Sequence, residues 1–161
     1  MARYVILFLS MLLLGCEING KQIIKPEKFT YDQIKFNTVS KKLIFENLDD
    51  GLDIENMKSI LRYWFDNKIK TDGFDGNLNL NIKNITTQKI RKDNYFKFLI
   101  KVSLQFEETH NDLNRTKTFI ISVSEYGEIS GSFSIKDQEN IELNVMHKSL
   151  DSVSKKLLEL N

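Results

Sequence analysis

The sequence predicts a two-layer α+β domain, in which an antiparallel sheet of four to five strands carries two amphipathic helices on one face. Residues 54–70 and 138–160 each place their apolar side chains along one side of a helix. Several runs between them alternate apolar and polar residues, as half-buried strands do. The 161 residues, 41% of them hydrophobic and 28% charged, suit one domain with a modest core.

The first element of the domain is a strand over residues 29–39, a stretch rich in aromatic and β-branched side chains. The chain through Phe45 either extends this strand or forms a second, short one. A cluster of aspartates follows, and Asp53 is the predicted N-cap of the helix over residues 54–70. Two glycines in residues 71–77 then end the helix.

Three alternating runs form the centre of the predicted sheet. Residues 78–82 alternate, and Ile85 then falls out of phase, which predicts a β-bulge near Lys83. Residues 95–107 keep one face apolar and the other polar, so we expect a buried (dry) face and a solvent-facing (wet) face. Residues 119–123 continue in the same manner.

The last part of the chain contains a turn signal and a long helical pattern. Tyr126 and Gly127 favour a turn, which would lead into a short additional strand over residues 129–135. We then predict a helix from about residue 138 to residue 160, with Asp137 as its N-cap.

Charge excludes one class of function. The net charge of the chain is +1, and without residues 1–15, which contain Arg3 and no acid, 22 basic and 22 acidic residues remain. Nucleic-acid-binding proteins concentrate a basic excess that neutralises phosphates. We therefore expect no nucleic-acid partner.

Residues 1–16 carry a targeting signal. Arg3 precedes an apolar run over residues 4–14, which as a helix would be about 16 Å long, roughly half of the ~30 Å core of a bilayer. This length is typical of the core of a signal peptide and too short for a spanning helix. The run ends in Leu13-Leu14-Gly15-Cys16, which resembles the lipobox of bacterial lipoproteins.

The lipobox resemblance implies cleavage between Gly15 and Cys16, a diacylglyceryl group on the Cys16 thiol, and an acyl chain such as palmitate on the new amino terminus. Two or three acyl chains anchor a protein stably to a membrane. In the sorting rule of these lipoproteins, Glu17 favours the outer membrane over the inner one. We thus expect a signal peptide over residues 1–15, lipidated Cys16 with a tether over residues 16–28, and one periplasmic domain over residues 29–161.

A second resemblance concerns the domain itself. Residues 62–76 (RYWFDNKIKTDGFDG), followed by long alternating strands and a closing helix, resemble a group of small Gram-negative envelope lipoproteins. These proteins share a helix that bears a tryptophan, a glycine turn, a sheet and a final helix. The layout is also similar to that of accessory lipoproteins that assist lipopolysaccharide or phospholipid transport at the outer membrane. Neither resemblance brings a catalytic signature.

We predict no catalytic, cofactor or metal site. His110 and His147 lack the spacing of zinc ligands. Ser130 lacks the glycine spacing of a nucleophile elbow, and Trp64 and Phe65 are expected in the core and not around a pocket. Five aspartates flank the first helix without the EF-hand pattern, and turns and capping explain them: they are Asp49, Asp50, Asp53, Asp72 and Asp75.

The sequence therefore favours a non-catalytic lipoprotein that acts as an accessory or scaffold for an envelope assembly or transport complex. Its partners would be the membrane, through acylated Cys16, and an envelope protein that binds the sheet edge or the wet face. The alternative is a periplasmic carrier that holds a lipid or a small apolar ligand between sheet and helices. An open strand edge over a filled core would favour the scaffold, and a continuous dry cavity would favour the carrier.

Overall fold

The structure is a computed structural model, and it describes residues 33–46, 48, 51–111 and 114–160. The predicted signal peptide, Cys16 and the tether lie outside these residues. The elements in chain order are β1 (Ile34–Phe36), β2 (Ser40–Phe45), α1 (Leu52–Lys68), β3 (Ile69–Thr71), β4 (Asn77–Lys92), β5 (Tyr95–His110), β6 (Arg115–Ser130) and α2 (Ile135–Leu160).

The main sheet has four strands in the order β2-β4-β5-β6, and β1 and β3 form a separate two-stranded sheet. Strands β4, β5 and β6 are antiparallel and 16 residues long each. The α+β fold class is confirmed, but the main sheet is mixed, because β2 pairs with β4 in parallel. The chain crosses from β2 through α1 before it enters β4, and such a helical crossover returns a strand in the same direction.

The dry face of the sheet is confirmed, and it holds the core against the two helices. Six alternate side chains of β5 are each at most 2% exposed: they are Phe96, Phe98, Ile100, Val102, Leu104 and Phe106. Phe106 stacks between two further rings, with centroid distances of 6.2 Å to Phe36 and 5.1 Å to Phe119. The other face of β5 is exposed or half-buried, as the alternation predicts.

Helices α1 and α2 contact each other through a buried hydrogen bond. The Trp64 Nε1–H donates to Ser154 Oγ at 3.0 Å, and the Ser154 hydroxyl donates to the Leu150 carbonyl at 2.8 Å. The indole is fully buried, and Phe65 beside it is also buried. The prediction that Trp64 and Phe65 belong to the core is confirmed.

The ends of α1 differ from the prediction. The helix begins at Leu52 after Gly51, with no capping side chain, so Asp53 is not the N-cap and lies in the first turn. It ends at Lys68, two residues earlier than predicted, and the chain continues into β3. At this end the Lys41 ammonium donates to the carbonyl oxygens of Phe65 at 2.8 Å and of Ile69 at 2.6 Å. The Phe65 carbonyl also accepts the Ile69 N–H, so the Lys41 ammonium adds a charged donor at the carbonyl end of the helix, where cations are favoured.

Helix α2 begins at Ile135, three residues before the predicted start, because Ser134 is its N-cap. The Asp137 N–H donates to Ser134 Oγ at 3.2 Å, while the Ser134 N–H and hydroxyl donate to Asp137 Oδ2 at 2.8 and 2.7 Å. This is a reciprocal capping box. Asp137 is therefore the second partner of the box, and its prediction as the N-cap was wrong.

The predicted turn at Tyr126 and Gly127 and the extra strand after it are also wrong, since β6 runs without a break to Ser130. Gly127 lies where α2 packs closely against β6. A Cβ atom at this position would lie 2.7 Å from Val145 Cγ2 and 2.9 Å from Ile141 Cγ2. The glycine serves close helix–sheet packing and not a turn.

The bulge in β4 and the length of β1 concern two further predictions. The register of β4 against β5 shifts between Ile82 and Asn84, which confirms the bulge near Lys83. In the described part of the predicted first strand, only Ile34–Phe36 is extended, and the chain through Phe45 forms the separate strand β2.

A pair of substitutions on β5 tests the two faces of the sheet. Phe98→Asp should lower the free energy of unfolding by on the order of 3 kcal/mol or more, because it buries an uncompensated charge. Lys101→Asp, on the exposed side of the same strand, should change it little. Urea unfolding followed by circular dichroism measures both. Equal losses would contradict a sheet with one wet face.

Candidate functional site

Strand β6 forms a long edge of the main sheet. In the described part of the chain its backbone pairs only with β5, from Arg115 opposite His110 to Ser130 opposite Tyr95. The opposite side of β6, which we call the open edge, extends over about 50 Å at about 3.3 Å per residue. An edge of this kind offers N–H and C=O groups to a further strand. The other edge strand, β2, has six residues.

Two contacts indicate which residues of β6 point their backbone toward the open edge. The hydroxyls of Ser103 and Ser122 lie 2.9 Å apart across the β5–β6 pair, and Lys156 Nζ donates to the Ser122 carbonyl at 2.8 Å. Close side chains and a carbonyl bonded by a residue outside the sheet are typical of the non-hydrogen-bonded pairs of an antiparallel ladder. We infer that Ser122 and every second residue from it along β6 direct their backbone groups to the open edge.

The wet face beside the open edge carries two exposed apolar side chains. Ile120 is 61% exposed and Tyr126 is 53% exposed. Both belong to the residues whose backbone groups point outward. The Lys97 ammonium lies 4.3 Å from the centroid of the Tyr126 ring and 3.8 Å from Glu128 Oε2. The apolar positions of this strip therefore lie among charged neighbours.

On the dry face, α2 runs antiparallel to β6 along the open edge. The Val145 side chain packs against Gly127. Further along the helix, the Ser152 hydroxyl donates to Glu125 Oε1 at 2.6 Å, and the Lys156 ammonium donates to the Ser122 carbonyl. The side of α2 that faces the edge carries three lysines, which we call the lysine flank: it consists of Lys148, Lys155 and Lys156.

The lysine flank helps to lower the pKa of Glu125, the one carboxylate that faces it from β6. The Lys148 ammonium lies 2.9 Å from Glu125 Oε2. Burial raises the pKa of the Glu125 carboxyl, but the hydrogen bonds from Ser152 and Lys148 and the charges of Lys148 and Lys155 outweigh burial. The pKa of Glu125 is therefore below its usual value, and this carboxylate is ionised at neutral pH.

The two histidines occupy different environments. His147 is 4% exposed on α2, and burial lowers its pKa to about 4, so its imidazole is neutral at neutral pH. His110 ends β5, with its Nε2 atom 3.3 Å from Glu108 Oε1. Across residues 33–46, 48, 51–111 and 114–160, no three His, Cys, Asp or Glu side chains form a group that could hold a metal ion.

The aspartates around α1 do not converge on one site. The Lys89 ammonium binds Asp53 Oδ1 at 2.9 Å and also Glu142 Oε1 of α2 at 2.9 Å. Asp72 pairs with Lys35, and Asp75 accepts hydrogen bonds from Asn111. Asp49 and Asp50 lie outside the described residues. Ser130, which lacks the sequence context of a nucleophile elbow, is exposed at the end of β6.

Sequence reasoning did not single out the residues along the open edge. Lys148, Ser152 and Lys155 follow the i, i+4, i+7 spacing of one helix face, and this pattern is visible in the sequence. The alternation of Ile120 and Tyr126 on the wet face of their strand is visible as well. What the sequence does not show is that this strand is the edge strand and that this side of α2 borders it.

No family model and no curated protein matches the sequence. Among solved structures, the chain is similar to a minor lipoprotein from Acinetobacter baumannii, with 12% identity, a TM-score of 0.37 and coverage of 73% of this chain and 86% of that chain. It is also similar to rare lipoprotein B from Shewanella oneidensis, with 12% identity, a TM-score of 0.38 and coverage of 74% and 91%. Likenesses with TM-scores this low carry no argument about function.

The described residues contain no helix that combines the length and the apolarity needed to cross a bilayer.

The buried imidazole of His147 predicts a pH-dependent stability. Its pKa is about 4 in the folded chain, against about 6.5 when it is exposed in the unfolded chain. The stabilisation from a neutral His147 is complete above pH 6.5 and is lost as the pH falls toward 4. Over this pH interval, the free energy of unfolding of the wild type should fall by about 3 kcal/mol more than that of His147→Leu. Urea unfolding of both proteins at several pH values measures the difference, and parallel pH profiles would contradict the prediction.

Proposed function

We propose that this chain is a lipid-anchored lipoprotein of the bacterial envelope that acts without catalysis, as an accessory or scaffold for an envelope assembly or transport complex. It binds a protein partner by adding an extended segment of that partner to β6. The observation that carries this proposal is the open edge, which spans a strand of 16 residues. Strand addition draws its affinity from main-chain hydrogen bonds and its specificity from alternate side chains.

The filled core favours the scaffold over the carrier. A carrier for a lipid or a small apolar ligand would need space between the sheet and the helices. Large side chains fill this region in the described residues: Trp64, Phe96, Phe98 and Phe106 are all buried from solvent. Binding would therefore occur on the exterior, and we propose the open edge and the wet face beside it.

The proposed absence of catalysis rests on how the polar groups are engaged. Glu125 is held by Ser152 and Lys148, and His147 is buried and neutral. A catalytic set would need a nucleophile and a base within hydrogen-bond reach of each other in an accessible cleft. The proposed function likewise requires no cofactor and no nucleic acid.

The proposed anchor is Cys16, acylated after cleavage before it. The support is the sequence Leu13-Leu14-Gly15-Cys16 after a short apolar run, and Glu17 favours the outer membrane, facing the periplasm. A flexible tether over residues 16–28 would keep the domain on the order of 20 Å from the membrane. Strand β6 would thus bind its partner close to the membrane surface.

Substitution of Cys16 should abolish the lipid anchor. Cys16→Ala removes the thiol that carries the lipid, so the precursor should stay uncleaved or become soluble. Detergent partitioning and mass spectrometry of the amino terminus measure this. A wild-type mature chain that begins elsewhere, without added acyl mass, would contradict the proposed anchor.

Blocking the open edge should abolish function while the domain stays folded. Ser124→Pro removes an N–H that points to the open edge and places a ring there, but it spares the ladder with β5. This variant should fail to restore envelope integrity in a deletion strain. Ser124→Ala, which keeps the N–H, should restore it, and circular dichroism should show both variants folded.

Two results would contradict the scaffold. One is full complementation by folded Ser124→Pro. The other is loss of function in a lipidated and folded variant of a single titratable residue away from the open edge and the lysine flank, such as His110→Ala, which would indicate a catalytic or ligand site.

A further inference from the structure

We propose that the partner segment bound at β6 is an extended strand that alternates apolar and acidic side chains. This inference rests on the proposed function and adds the chemistry of the partner to it. The open edge has two different borders, exposed apolar side chains on the wet face and the lysine flank on the dry face. A strand added there presents its side chains to the two borders in turn, because successive side chains point to opposite faces.

The wet-face border sets the apolar positions. Ile120 and Tyr126 are both exposed and lie six residues apart on the same face. A partner strand paired with β6 places side chains directly opposite these two, at the short distances of cross-strand neighbours. Apolar side chains at those positions would cover Ile120 and Tyr126.

The dry-face border sets the acidic positions. Lys155 and Lys156 are exposed, while Glu125, the carboxylate that faces them from β6, already binds Ser152 and Lys148. Glu159 of α2 also lies on this side. The three lysines of the flank therefore outnumber the two carboxylates, Glu125 and Glu159. The alternate side chains of an added strand would point at this flank, where carboxylates are favoured.

Lys156 gives the acidic partner a specific advantage. Its ammonium donates to the Ser122 carbonyl, one of the groups that an added strand would need. Any partner must displace this ammonium from the carbonyl, and an acidic side chain offers it a stronger, charged acceptor in exchange. A neutral or basic strand offers none. Lys156 thus protects the edge against unselective strand pairing, as lysines on edge strands do.

The same charges argue against a second copy of this chain as the occupant. Antiparallel pairing of two β6 strands continues one sheet, so both α2 helices would lie on the same face. Their lysine flanks would then face each other across the new pair. Like charges at such an interface are unfavourable.

The test uses the full mature lipoprotein in detergent and labelled peptides of about ten residues, a length that suits strand addition. One peptide alternates valine and glutamate, a second alternates valine and lysine, and a third is the glutamate peptide with alternate amides N-methylated. Fluorescence anisotropy should show the glutamate peptide binding at least about ten-fold more tightly than the other two, with weakening at high salt. Lys156→Glu should remove most of this preference.

Lys42→Glu is the matched control, since it makes the same charge change at an exposed lysine on β2, at the far edge of the sheet. It should leave the preference intact. Equal binding of the glutamate and lysine peptides, or the same loss in Lys42→Glu as in Lys156→Glu, would overturn the acidic partner.

The outcomes separate this inference from the proposed function. If no peptide binds, or if the peptides bind without charge preference, while Ser124→Pro still fails to complement, the acidic partner is wrong and strand addition stands. If no peptide binds and Ser124→Pro complements fully, both are wrong. Self-association in sedimentation that Ser124→Pro abolishes would identify a second copy as the occupant and overturn the acidic partner.

Discussion

Burial of the dry face of the β4–β5–β6 sheet governs the rest of this structure. The buried apolar side extends along β5 and includes the first half of β4 and the middle of β6, and both helices turn their apolar stripes to it. Because burial of apolar surface is the main favourable term in folding, the positions of the helices follow from the need to cover this face. Polar contacts then fix the helices laterally, through Trp64 with Ser154 between them and through Lys89 with Asp53 and Glu142.

The position of α2 also determines the surface proposed for binding. Gly127 lets the helix come close to β6, and the helix therefore runs along the last strand of the sheet. The strand order leaves one side of β6 open, and the helix places Lys148, Lys155 and Lys156 beside that side. The helix that covers the core therefore also supplies the charged border of the candidate site.

An open edge of this length needs protection as well as access. Long edge strands invite unselective pairing, and proteins usually counter this with charge. Here Lys156 occupies the Ser122 carbonyl, and Glu125 lies inside the edge with its charge compensated. Because the Lys156 side chain is flexible, its ammonium can leave the Ser122 carbonyl when a partner strand binds. The same residue can therefore hinder unselective pairing and favour an acidic partner.

The sequence by itself determined the elements whose signal is periodic: the dry face of β5, the two helical stripes, the bulge near Lys83 and the burial of Trp64. These features depend on side-chain spacing within one segment, because the period of a helix or a strand places regularly spaced side chains on the same side of that element. Only the tertiary structure decided that β2 pairs with β4 in parallel, that Gly127 packs under α2 in place of a turn, and that β6 is the edge. Strand order and helix approach depend on contacts between segments far apart in the chain, and no local pattern specifies them.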